Sequence, residues 1–97
     1  MARPAERALL DGIRAYDDGQ YAQAEKALRK ALADGLQSSR DRATAHKLLA
    51  FITCTSDRLA DCQTQFREAR AADASFALSR SESGHPVWGP VYKSLSQ

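Results

Sequence analysis

The chain has 97 residues, a formal net charge of +2 and 43% hydrophobic residues, the size of one small domain whose single core is only just sufficient. Alanine abounds, glycine and proline number only five and three, and β-branched residues are few, so the composition predicts an all-α fold. Residues 1–40 carry seven basic and six acidic side chains and residues 41–97 carry the same numbers; with no basic face segregated along the chain, nucleic acid and anionic membrane surfaces are not predicted as partners.

In chain order, helices are predicted near 4–17 and 21–34, joined by the turn "DDGQ", and near 41–55 and 59–72, joined by "TSD". Each turn is followed by apolar residues at i, i+3 and i+7, the spacing of one helix face. Asp34-Gly35 reads as a helix stop, and Ser39 or Asp41 as the next N-cap. Residues 73–83 read as a polar bridge, "GHP" as a turn, and about Pro90 to Leu95 as a short helix with proline in its first turn. The longest apolar run is "LLAFI", Leu48 to Ile52, too short for a membrane span or a signal-peptide core. Export stays open, because a start such as "MARPAERALL" can stand where a signal has been removed.

The two helix pairs are copies. "GIRAYDDGQYAQAEKALRKAL" aligns without a gap with "AFITCTSDRLADCQTQFREAR" at an offset of 38, matching Gly12 with Ala50, Tyr21 with Leu59, Ala24 with Cys62, Leu28 with Phe66 and Ala31 with Ala69. Small residues at Gly12 or Ala50 are expected to face Ala24 or Cys62, so that the helix axes approach closely. The pattern resembles a tetratricopeptide repeat. Gly12, the "GQY" turn, Ala24 and Ala31 agree in the first copy, with Leu28 for the phenylalanine; Leu49, Ala50 and Phe66 agree in the second. The expected organisation is one domain over 1–97, with repeat 1 at about 4–34, repeat 2 at about 41–74 and a tail at 75–97. Two such units leave apolar surface uncovered, since about three are needed to bury a continuous core. In this type of fold the first helix of each hairpin lines a concave groove, which makes Ile13, Tyr16, Lys47 and Phe51 the candidate partner-binding residues.

The tail "GHPVWGPVYKSLSQ" holds the only tryptophan and two of the three prolines. His85, Pro86, Trp88 and Tyr92 are its candidate packing or recognition residues. The two stiff X-Pro units are expected to hold Trp88 against the repeats, largely buried, as a truncated third unit. His85 has two readings, a turn cap or a contact for a partner.

Cys54 and Cys62 stand C-x7-C across the second turn, a spacing that brings two helix axes together and lacks the CxxC pairs or added histidines of a metal site. Two buried thiols or a disulfide both fit. His46, beside Lys47, is explained by the hairpin core or by solvent. There is no Ser-His-Asp set, paired carboxylate cleft or phosphate loop, and "DDG" at 17–19 lacks the glutamate of a calcium loop. The sequence therefore predicts neither enzyme activity nor a cofactor or metal.

The cysteine on each helix of the last hairpin, the "AADASF" that ends it and the closing "GHPVWGPVYK" together resemble the TssQ family, small tetratricopeptide-type lipoproteins associated with bacterial type VI secretion. The resemblance spans roughly residues 8–93. It implies a periplasmic protein, hence a structural Cys54–Cys62 disulfide, and an envelope component of the secretion apparatus as partner. Membrane attachment is implied only through an N-terminal lipid anchor, which this chain does not contain. The competing expectation is a cytosolic adaptor or secretion chaperone that clasps a peptide.

Overall fold

The computed structural model of the chain describes residues 3–95; the ends of the expected domain, Met1, Ala2, Ser96 and Gln97, lie outside the described residues. The fold is all-α, with α1 (Pro4–Asp17), α2 (Tyr21–Asp34), α3 (Ser39–Thr55), α4 (Leu59–Ala72), α5 (Arg80–Ser83) and α6 (Trp88–Leu95). α1 packs on α2 and α3 on α4 as two hairpins, α2 lies against α3, and α6 closes on α3 and α4. This is the expected helical-hairpin repeat with a packed C-terminal tail.

Three local expectations need correction. Ser38, rather than Ser39 or Asp41, caps α3: its hydroxyl accepts the Asp41 N–H at 3.1 Å, and α3 starts two residues early. Residues 73–83 are not only a polar bridge, because Ser79 and Glu82 form a reciprocal capping box that starts α5. α6 begins at Trp88, with Pro90 inside its first turn, where a missing N–H leaves no helical bond unmade.

Hairpin 1 closes tightly at Gly12: a Cβ there would stand 2.8 Å from two carbons of Leu28, so the glycine makes room for that side chain. Leu28, Ala24 and Ala31 are completely buried, and the core cluster runs from Ala5 to Phe66. Buried Thr53 gives its hydroxyl proton to the Leu49 and Ala50 carbonyls of its own helix, which removes the penalty of an unpaired polar group. Arg42 closes the 35–38 connector by donating to the carbonyls of Leu36 and Gln37.

A charge network holds one hairpin to the other. Arg58 donates to both oxygens of Glu25 at 2.8 Å, and Arg29 bridges Glu25 at 3.0 Å and Asp61 at 2.8 Å. The Arg58 hydrogen bonds, joined by those of Arg29 against an opposing desolvation, hold the Glu25 carboxyl down to about 2 from its ordinary 4.5. A carboxyl depressed on folding stabilises above its unfolded pKa and loses that effect as pH falls through the folded one, here between 4.5 and about 2. Both arginines are well exposed, so screening reduces the contribution to about 1–2 kcal/mol. Urea unfolding of the wild type should therefore lose about that much more than Glu25→Gln does between about pH 6 and about pH 2.5; equal losses would show that the network contributes nothing.

Candidate protein-binding groove

α1 and α3 carry the candidate groove residues. Ile13 and Tyr16 stand three apart on α1, Lys47 and Phe51 four apart on α3, and both spacings put the pair on one helix face. The structure brings the Tyr16 and Phe51 rings to 6.5 Å and holds the Lys47 ammonium 5.8 Å from the Phe51 centroid, within cation-π range. Ile13 is half-buried against the same core. Tyr21 extends the aromatic row, edge-on to Tyr16 at 5.4 Å, and is 54% exposed. Burial pushes the Tyr16 phenol up, and Tyr21, Asp17 and Glu82 push it the same way.

The chain's own tail lies on the α3 half of this surface. Trp88 stacks on Phe51 with centroids 3.8 Å apart and planes 15° from parallel, and His85 stacks on Trp88 at 3.5 Å and 6°. Two rings this close and this parallel must take opposite faces of the indole. Trp88 is thus sandwiched and mostly covered, as the expectation of a largely buried side chain had it: stacking covers its faces. Tyr92, one turn further along α6, meets Phe66 at 5.4 Å and Phe76 at 6.3 Å, and its hydroxyl accepts the Leu78 N–H.

His85 acts as a cap. Its Nδ1 accepts the N–H groups of Val87 at 3.0 Å and Trp88 at 3.4 Å, which fixes the start of α6. Pro86 follows it in an exposed turn. Among the described residues of the tail Gly89 is the buried one, and a Cβ there would collide with the Ser83 carbonyl oxygen, so this crossing requires glycine.

Glu82 joins tail to groove, and sequence reasoning missed it. Its carbonyl accepts the Trp88 indole N–H at 2.8 Å, one carboxylate oxygen accepts the Ser79 N–H, and the other pairs with Lys47 at 2.9 Å. Partial burial opposes its ionisation, but the Ser79 amide and Lys47 outweigh that and hold the carboxyl below its ordinary value. The signal was present as Ser79-x-x-Glu82, the spacing of a capping box.

Cys54 and Cys62 form a disulfide with Cα atoms 5.0 Å apart, pinning the end of α3 to the start of α4. His46 bonds Gln65 through Nδ1 at 2.7 Å, and Gln65 in turn donates to Asp61, an ordinary link between α3 and α4. Among the described residues no group of three or more His, Cys, Asp or Glu is placed to hold a metal ion, and no helix is long and apolar enough to cross a membrane. A cleft of about 620 Å³ beside Arg3, Arg7, Asp11 and Lys30 shares no residue with the groove. No family model, curated protein or solved structure matches the chain, so the groove is read from its own residues.

Proposed function

We propose that the protein is a non-catalytic protein-protein interaction module, an accessory periplasmic lipoprotein of a type VI secretion apparatus in its anchored form, that engages an envelope component of that apparatus through the groove of Tyr16, Lys47 and Phe51. The observation that carries the interaction reading is the Trp88–Phe51 stack at 3.8 Å: the groove floor takes a flat aromatic ring from the chain's own tail, much as peptide-binding helical repeats take a side chain of a bound peptide. Compartment and apparatus rest on other support. The Cys54–Cys62 disulfide suits an oxidising location, and the paired cysteines with "GHPVWGPVYK" carry the likeness to TssQ proteins.

Affinity capture from envelope extracts of the producing bacterium tests the proposal. The expected result is recovery of a secretion-apparatus envelope protein, lost on Lys47→Glu. Recovery of cytosolic chaperones alone, unaffected by that substitution, would favour a cytosolic peptide-clasping adaptor instead.

A further inference from the structure

The residues that make the body's core stop before the tail begins. Among the described residues, every buried side chain lies between Ala5 and Ala69, and beyond Ala72 only Gly89 is buried. Phe76, Leu78, Trp88, Val91, Tyr92 and Leu95 rest on the outside of the core cluster. The tail meanwhile holds its own shape. Ser79 and Glu82 cap each other, His85 caps α6 and stacks on Trp88, the indole N–H bonds back to the Glu82 carbonyl, and Gly89 nests on Ser83. A segment preorganised by its own bonds and seated on a neighbouring surface through a ring stack and an ion pair has the construction of a bound peptide.

We infer that residues 79–95 are a resident ligand of the groove, and that a partner binds by displacing them with a segment that offers the same two groups: an aromatic ring to lie flat on Phe51 and a carboxylate to meet Lys47. Toward Trp88 and Glu82 the groove supplies the Phe51 face and the ammonium 5.8 Å from its centroid, while Phe66 meets Tyr92 one turn on; the indole, the His85 stack and the Glu82 carboxylate all arrive with the tail. These fixed features define the ligand class as an acidic, aromatic-bearing peptide rather than a basic one. Phe51 and Phe66 are 4% and 3% exposed with the tail in place, and lifting it without replacement would uncover both to water. Exchange for a partner is therefore favoured over free opening. The inference rests on the groove being the interaction surface proposed above.

The test uses the full chain and a fluorescent synthetic peptide with the sequence of residues 79–95 as probe, read by polarisation. In the wild type the tethered tail competes at an effective concentration on the order of millimolar, so micromolar probe should bind weakly; in Trp88→Ala it should bind roughly tenfold tighter or more, because the resident tail has lost its stack. Adding Lys47→Glu to Trp88→Ala should abolish that gain. Three results would each overturn the inference: a folded Trp88→Ala protein that binds probe no better than wild type, a wild type that already binds it as tightly, or a Trp88→Ala chain whose circular dichroism shows the helices lost, since the body would then need its tail to fold. Successful envelope capture alongside failure of the peptide assay would leave the interaction reading standing and remove only the resident ligand.

Discussion

Phe51→Ala is expected to lower the unfolding free energy by about 3–5 kcal/mol, the range for deleting a buried aromatic side chain without refilling its space. The ring is 4% exposed and touches both hairpins and the tail: Tyr16 at 6.5 Å, Phe66 at 6.3 Å and Trp88 at 3.8 Å. Its loss leaves a void between the Tyr16, Phe66 and Trp88 rings of α1, α4 and α6. For a domain of this size such a loss is a large fraction of total stability. Urea unfolding followed at a helical circular-dichroism band checks it. A loss under about 1 kcal/mol would mean that the ring lies outside the close-packed core, against the burial described.

Reducing the disulfide is expected to cost about 2–3 kcal/mol on the chain-entropy estimate for a loop this short. The bond spans a turn that hydrogen bonds also hold: the Ser56 hydroxyl donates to the Ile52 and Thr53 carbonyls, and Arg58 donates to Ser56. α4 has no side-chain N-cap, and Asp57 takes φ 63°, a left-handed conformation that Gly19 supplies at the matching place in hairpin 1. The offset of 38 also pairs Cys54 with Tyr16 and Cys62 with Ala24. Where hairpin 1 closes its turn over a tyrosine and an alanine, hairpin 2 closes it covalently. Melting with and without reductant measures the effect. Free alkylation of both thiols in native, unreduced protein from an oxidising compartment would contradict the pairing.

Most of the hairpin body was legible because one signal, the apolar spacing repeated after 38 residues, fixes both helix faces and turns at once. What the sequence left undecided is set by backbone geometry or tertiary contact. Ser38, Ser39 and Asp41 are all good cap residues within four positions, and only Ser38 adopts the extended backbone that aims its hydroxyl at a free amide. Glycine at position 12 announced a close approach without saying that Leu28 would fill it.

The tail was legible in part for a different reason. Its aromatic residues had to pack, and Trp88 is largely covered as expected, but the sequence did not say by which partners. The flat ring is satisfied on both faces by Phe51 and His85, and only the folded structure brings those two partners to it. Glu82 escaped notice because its local role, capping α5, hides its longer-range bond to Lys47 across 35 positions. The candidate groove residues Tyr16, Lys47 and Phe51 were reachable from helix position. That the groove has an occupant was legible only as an uncovered surface and a sticky tail, two halves that the sequence does not join.

The seating of that occupant is open to one direct measurement, because the chain has a single tryptophan. In a proton NMR spectrum of the oxidised full-length protein, nuclear Overhauser contacts should join the Trp88 indole to the Phe51 ring, 3.8 Å away between centroids, and the indole N–H should exchange slowly with solvent because it is bonded to the Glu82 carbonyl. An indole N–H at the shift of a free tryptophan, exchanging fast and without contact to Phe51, would contradict a tail docked in the groove.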